Sequence, residues 1–329
     1  MRMLMPRIFL LYVLFHQHLK CTVRYLIAPL VLFLPLSAHA DLPLTVEDLL
    51  TAQNRWKVEL GLNYVNSERT SAQSGQPIYI QTGPTSFLSI PTFAGAIREN
   101  TDTFVFTPGL RYGISGETEL YTRSSWINST ARVTLGNDTQ TQSTRQFADV
   151  WIGMNHRLIR EDTSPALLGF AELALTENQN GNTHSAKSAL LGFTTYRTSD
   201  PLVLALTTAY RLNRPYLANG VIYQNGNFLF INPSISFAVN PLATLSAGFN
   251  WRYQQPDRVN DASQGGLLTR TDFNLGLGYS YDARTILTTT LSGNLSGSGG
   301  AGISLIATFK LGELPKRERN RAAGTVNPN

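Results

Sequence analysis

The candidates for a functional site in this chain are charged side chains that recur at alternate positions. Successive side chains of an extended chain point to opposite faces, so alternate positions share a face. Opposite charges on one face form a constriction that selects solutes or docks another segment, or they are salt bridges that fill the space between walls. The residues in question are Lys57, Glu59, Arg111, Glu119 and Arg123.

A second set of polar residues occupies the same kind of face in other stretches of the chain. Two interpretations stay open for it. The side chains line a path for a solute, or they hydrate a polar wall. This set consists of Asp149, Arg211, Asn250, Arg252, Asp272 and Asn274.

A catalytic role can be sought around the histidines. The chain after residue 40 contains two, His156 and His184. Nucleophilic hydrolysis requires a base beside a nucleophile and a polar partner, and neither histidine has a serine and an acid around it. Neither is paired with another His or Cys at a metal-ligand spacing. The sequence therefore predicts no enzyme activity, no metal and no cofactor. A polar residue at a strand end and a solvated loop residue are the expected roles.

Residues 56–64 show the element that must position the charges. Apolar side chains occupy every second place from Trp56 to Tyr64, with polar residues and glycine between them. The same rhythm, or a short apolar run, recurs to give twelve predicted strands. Short turns alternate with long loops, an arrangement typical of a transmembrane antiparallel up-and-down β-barrel. We therefore predict an all-β barrel over residues 55–312.

A soluble β-sandwich is the alternative, because one face of its sheets is also apolar. The positions of the aromatic residues favour the membrane barrel. They cluster at both ends of the apolar faces, for example at Trp56 and Tyr112 on one side and at Tyr64 and Phe104 on the other. Aromatic belts are expected at the two lipid–water interfaces. The opposite faces carry Gly, Asn, Ser and Thr, which suits a watery lumen.

The amino-terminal segment has the pattern of a signal peptide. Basic residues precede an apolar run of about a dozen residues, which is too short to span a bilayer comfortably, and Ala38-His39-Ala40 fits a cleavage site. We predict cleavage after Ala40 and export to the bacterial outer membrane. An uncleaved anchor is the alternative, and the long n-region is also explained by a start codon downstream of Met1.

Cleavage changes the charge balance and removes Cys21. The formal charge of +5 falls to +1, and the basic tail 313–329 carries +2 of the remainder. Residues 41–312 are thus close to neutral, which excludes nucleic acid as an expected partner. The tail either contacts anionic headgroups or peptidoglycan or is solvated.

A short helix is predicted over residues 45–54, because Thr45 and Asp48 form a capping-box pattern. Its partial apolar stripe includes Leu49 and Leu50. Two roles are open for the segment 41–54. It is a plug inside the barrel, with Glu47 and Asp48 facing Arg111 or Arg123, or it is a periplasmic cap or linker.

The long connection at residues 66–100 has an apolar content of its own, as in QPIYIQTGPTSFLSIPTFAG. It folds inward as a constriction or outward to bind a partner, and an ordinary extracellular hairpin is the simplest alternative. The sequence leaves these choices open.

The stretch LRYGISGETELYTR resembles a strand–turn–strand signature of bacterial outer-membrane transporter barrels of the meta-pathway phenol-degradation-like family. The stretches DVWIGMNHRL and PALLGFAELAL resemble the hairpin that follows this signature. The similarity covers about residues 55–312 and chiefly specifies the fold. The helix before the barrel also resembles the plug of secretion pores in the functional-amyloid (Fap) system. This sequence departs from those pores because it lacks their long amino-terminal coiled-coil region.

The expected function is passive passage of small solutes, aromatic or apolar ones among them, through an outer-membrane channel. The alternative is a plug-gated export pore for a secreted polypeptide such as an amyloid subunit. The expected partners are outer-membrane lipid and either small solutes or a translocated polypeptide, and a homo-oligomer is a further expectation.

Overall fold

The structure is a computed structural model that describes residues 50–69, 78–90, 98–135, 138–179, 182–218, 220–296 and 299–312. The predicted signal peptide 1–40 and the predicted basic tail 313–329 lie outside these residues. Most of the predicted helix, including Glu47, Asp48 and Leu49, lies outside them too. Among the described residues, no helix is long and apolar enough to cross a membrane.

Twelve long strands form one closed antiparallel barrel. Each strand pairs with the next in the chain, and the first closes on the last through pairs such as Trp56 with Leu311. The predicted fold class and strand number are therefore confirmed. The strands are β1 (Trp56–Arg69), β2 (Arg98–Gly113), β3 (Thr118–Leu135), β4 (Asp138–Ile159), β5 (Ala166–Gln179), β6 (Ser188–Ser199), β7 (Leu202–Asn213), β8 (Phe228–Asn240), β9 (Ala243–Gln254), β10 (Leu268–Ser280), β11 (Thr285–Asn294) and β12 (Gly300–Leu311).

The outer surface of the barrel is apolar and the inner surface is polar. On β1, Leu62 is 55% exposed whereas its neighbour Asn63 is 3% exposed, so the apolar residue faces out and the polar residue faces in. The same alternation of exposed apolar residues holds around the barrel. So large an exposed apolar surface requires a partner, and closure leaves no strand edge for lipid to contact. The surface is that of a barrel surrounded by lipid.

Two aromatic pairs mark the height of the lipid band on β1 and β2. The rings of Trp56 and Tyr112 lie 4.6 Å apart, and those of Tyr64 and Phe104 lie 4.8 Å apart. The nine residues from Trp56 to Tyr64 match the roughly 9–11 residues that a tilted strand needs to cross the hydrocarbon. The end with short turns, where β1 starts, is the periplasmic end, and the end with long connections is the extracellular end.

A β-bulge corrects one detail of the predicted facing. Strict alternation places Ala148 outward with Val150, but Ala148 is 3% exposed and packs against apolar residues inside the barrel. The register between β3 and β4 shifts between Ser125 and Trp126. An extra residue in one strand turns the following side chains by one position, so Ala148 and Asp149 both face inward.

The described part of the long connection after β1, residues 78–90, folds into the barrel. Its strands Ile78–Gln81 and Phe87–Ile90 pair as a hairpin, and most of its side chains are buried. We call residues 78–90 the lumen hairpin. The other short strands lie in extracellular connections. They are Asn182–Ser185, which pairs with β5, and a four-stranded sheet of Tyr216–Ala218, Val221–Gln224, Asp257–Val259 and Ala262–Gln264.

The helix predicted over residues 45–54 is wrong for its described part. Residues 50–54 form no helix, because their backbone groups bond to the end of β2. The Asn54 amide donates to the Gly113 carbonyl at 2.8 Å, and Asn54 has a positive φ of 58°. At Gly113 a Cβ would lie 2.2 Å from the Ala52 carbonyl oxygen, so this approach requires glycine.

Candidate functional site

The wall of the lumen carries an ion-pair cluster at its periplasmic end, which we call the lower cluster. Its members are Glu59 on β1, Arg111 on β2 and Glu119 on β3. The Arg111 Nε lies 2.8 Å from Glu59 Oε1, and its Nη1 donates to Glu119 Oε1 at 2.8 Å. The two carboxylates thus hold one guanidinium between three adjacent strands.

Glu119 also binds the segment that precedes the barrel. Its side chain is fully buried, and its Oε2 accepts a hydrogen bond from the Thr51 amide at 2.7 Å. Asn155 donates to its Oε1 at 2.6 Å. Lys57 donates to the Leu50 carbonyl at 3.3 Å. Residues 50 and 51 therefore lie within the periplasmic mouth, against inward-facing side chains.

A second set of contacts continues the polar wall toward the extracellular end. Arg123 donates to Glu172 at 3.1 Å and lies 3.8 Å from Asp149. Tyr121 donates to the other oxygen of Glu172 at 2.8 Å, and the Trp151 indole donates to Asp149 at 2.9 Å. Every ionised group here has a partner, as buried charges require. Sequence analysis placed Arg123 and Asp149 in different sets, and the structure brings them together.

Arg211 and Arg252 hold the lumen hairpin rather than an open path. Arg211 pairs with Glu177 and donates to the Phe87 carbonyl at 3.0 Å. Arg252 donates to the Tyr79 carbonyl at 3.1 Å. Both guanidinium groups also lie within 5.3 Å of the Tyr79 ring centroid, a distance at which cations attract aromatic faces.

The two faces of the lumen hairpin are buried against different parts of the wall. One face carries Ile78, Ile80, Leu88 and Ile90 and contacts Val105, Ile127 and Ala148. The other carries Tyr79 and Phe87, whose rings contact Phe228, while Phe87 also contacts Phe230. Apolar side chains on both faces are thus removed from water, which stabilises the inward position of the hairpin. The hairpin is therefore a built-in filler of the lumen, the inward choice that the sequence left open.

The described residues enclose two cavities beside the hairpin. The outer one has a volume of about 230 Å³, and Asp272 and Asn274 line it. Asp272 is paired with Arg270 at 2.9 Å. The inner one has a volume of about 260 Å³ and is lined by Glu59 and Arg111 of the lower cluster. The two cavities share four lining residues at the hairpin tip and the facing wall, namely Gly83, Pro84, Thr288 and Ile306.

Glu172 and Glu177 are the main lumen residues that sequence analysis missed. The facing of β5 was ambiguous because PALLGFAELAL is apolar almost throughout. Glu172 is the one charged residue in that stretch, and a charge on the lipid face is costly. Its position alone could have fixed the inward face as Leu168, Phe170, Glu172 and Ala174, all buried in the structure.

The histidines lie apart from these contacts. His156 Nδ1 is 2.9 Å from the Thr118 hydroxyl at the periplasmic end, and the His184 ring is 4.4 Å from the Tyr216 ring in an extracellular connection. Within the described ranges, no group of three or more His, Cys, Asp or Glu residues is arranged to hold a metal ion.

Three of the titratable groups with a shifted pKa outside the spanning strands are Lys187, Asp257 and Asp282. Burial lowers the pKa of Lys187, between the short strand Asn182–Ser185 and β6, to about 8. Burial raises the pKa of Asp257 in the extracellular sheet. In a periplasmic turn, hydrogen bonds from the Arg284 and Thr285 amides lower the pKa of Asp282.

No protein-family model matches the sequence, and no curated protein matches it. Its structure is similar to that of the COG4313 outer membrane channel from Pseudomonas putida F1, with 11% identity over 84% of this chain and 100% of the other, at a TM-score of 0.58. It is less similar to the translocator domain of the autotransporter NalP from Neisseria meningitidis, with 10% identity over 81% and 92% of the two chains and a TM-score of 0.47. The P. putida toluene transporter TodX is 11% identical over 80% of this chain and 91% of the other, with a TM-score of 0.40.

The first similarity supports the fold and, with the apolar outer surface, a location in the bacterial outer membrane. The outer-membrane barrel predicted from the sequence is thus confirmed, and the cleaved signal peptide stays a prediction.

Proposed function

We propose that this barrel is a channel for passive passage of small solutes across the outer membrane. The observation that carries the proposal is the junction of the two cavities. They lie on opposite sides of the hairpin tip and share Gly83 and Pro84 on the hairpin with Thr288 and Ile306 on the wall. A solute would pass from the outer cavity, between tip and wall, into the inner cavity.

The periplasmic exit of this path runs beside the lower cluster. Glu59 and Arg111 line the inner cavity, and their pairing leaves little net charge. Residues 50 and 51 lie at the same mouth and narrow it. This favours the plug role for the segment 41–54, and the channel would then conduct weakly until that segment moves.

The junction is tested by narrowing it. Thr288 faces the lumen on β11, and Thr289 beside it occupies the outward face. Thr288→Trp should abolish most solute flux in a liposome-swelling assay and most single-channel current in planar bilayers. Thr289→Trp makes the same change on the lipid side and should leave both unchanged. Equal flux through the two variants would contradict the proposed path.

Aromatic or apolar solutes are the substrates that the resemblance to the phenol-degradation-like family implies. Ile78, Ile80 and Phe87 of the lumen hairpin line the outer cavity and would give such solutes an apolar contact surface. Swelling rates with small phenolic solutes test this choice.

Export of a polypeptide is the alternative function, and the lumen contents argue against it. A polypeptide needs the hairpin to leave, but both hairpin faces are buried and two arginines hold its carbonyls. A homo-oligomer remains a prediction, which cross-linking in native membranes would test.

A further inference from the structure

One inner wall of the outer cavity is built from small neutral side chains. Asn63 on β1 pairs in register with Ser304 on β12, and Ser304 pairs with Thr290 on β11. All three line the outer cavity. They lie at one height because register partners are directly opposite each other. We call these three residues the amide row.

Asn63 has hydrogen-bonding capacity that the protein does not use. Its side chain is 3% exposed, and neither its amide nitrogen nor its amide oxygen has a hydrogen-bond partner. A buried polar group without a partner is costly, and native structures rarely keep one without a reason. A carboxamide presents a donor and an acceptor side by side, so a hydroxyl or amide group of a solute would satisfy both.

Charges on this wall are remote from the amide row. Glu59 lies four residues below Asn63 on β1, which is about 13 Å along the strand. Asp272 lies four residues above Gly276, the β10 partner of Thr290, and it is already paired with Arg270. An ion at the row would therefore lose hydrating water without gaining a close opposite charge from this wall. Its desolvation would be uncompensated, so ion binding there is unfavourable.

We infer that the amide row is a binding subsite for small uncharged solutes that carry hydroxyl or amide groups. This inference rests on the proposed channel function and names its substrate class. The cavity volume of about 230 Å³ lies below the ~300 Å³ lower limit for drug-sized ligands, so the solute is small. Ile78 and Ile80 of the lumen hairpin also line this cavity and would contact its hydrocarbon skeleton.

The test compares a neutral polyol with ions in the full-length mature protein. Asn63→Leu keeps the side-chain volume and removes both hydrogen-bonding atoms. It should slow liposome swelling with arabitol by at least about fivefold, because it removes two solute hydrogen bonds and loss of one alone produces about this factor. It should leave the KCl conductance unchanged. Asn128→Leu makes the same change at an exposed position of β3. It should alter neither the arabitol swelling rate nor the KCl conductance.

A second variant protects the test against a folding defect. Thr290→Val is isosteric and removes one hydroxyl of the same row. It should therefore slow liposome swelling with arabitol by about twofold. Folding is checked by the change in gel mobility on boiling. Arabitol rates unchanged in both folded variants would overturn the subsite while the channel function stands. A wild-type protein that passes neither arabitol nor ions would overturn the proposed function itself.

Discussion

Arg211 on β7 donates a hydrogen bond to the carbonyl oxygen of Phe87, 124 residues earlier in the chain, at 3.0 Å. The same guanidinium pairs with Glu177 on β5. One buried side chain thus joins two barrel strands to the lumen hairpin. The hairpin is held by the wall and is not merely packed against it.

Replacing Arg211 should loosen the hairpin and widen the path. Arg211→Met leaves Glu177 buried without its partner, at a cost of about 3–5 kcal/mol, and removes the bond to Phe87. Single-channel conductance should rise by roughly twofold or more as the hairpin gains freedom.

The double change Arg211→Met with Glu177→Gln should regain stability but keep the higher conductance. Arg197→Met, in an exposed periplasmic pair, is the control. Unchanged conductance in the double variant would show that the bond to Phe87 does not restrain the hairpin.

Removing residues 41–51 from the mature protein should open the periplasmic mouth. The deletion takes away Thr51, whose amide binds Glu119, and spares Gln53, which bridges to Gly113. We expect a higher single-channel conductance in planar bilayers. Deleting the tail after residue 312 is the control and should have no effect. If both deletions behave alike, the amino-terminal segment does not occlude the channel.

Gly153 on β4 should not tolerate a side chain. A Cβ there would lie 2.3 Å from the Tyr121 ring, so Gly153→Ala must displace the ring from its bond to Glu172. Overpacking of this kind costs about 1–3 kcal/mol, measured as a lower urea midpoint in lipid vesicles. Gly116→Ala, where the added Cβ meets nothing within 4 Å, is the matched control. Equal midpoints for the two variants would refute the close fit.

Asp282 should stabilise its turn in a pH-dependent way. Its pKa is lowered in the folded protein, so the stabilisation is present above the pKa of the unfolded carboxyl, about 3.9, and is lost as the pH falls through the lower folded value. Asp282→Ala should cost less than about 1 kcal/mol at pH 7, because solvent screens an exposed carboxylate. The difference from wild type should shrink below pH 4. Urea midpoints across pH measure this, with Asp162→Ala in another turn as control. A difference that persists at low pH would mean that charge is not involved.

The sequence by itself determined the barrel. Alternation is a local property of an extended chain, so residues such as Leu62 and Asn63 reveal their faces without knowledge of any partner. Strand number, chain order and the two aromatic pairs followed from the same rhythm. The lumen charges Lys57, Glu59, Arg111 and Glu119 were also found in this way, since a polar residue on the inward face is visible from its neighbours.

Only the tertiary structure decided what fills the lumen. The inward fold of residues 78–90 depends on contacts with β2–β9, which no local pattern encodes. The described end of the predicted helix, residues 50–54, is not helical because Gly113 forms backbone hydrogen bonds with Asn54 and Arg55. Ala148 turned inward because of a bulge in the pairing of two strands. In each case the free energy comes from a partner distant in the chain, so the outcome requires the assembled barrel.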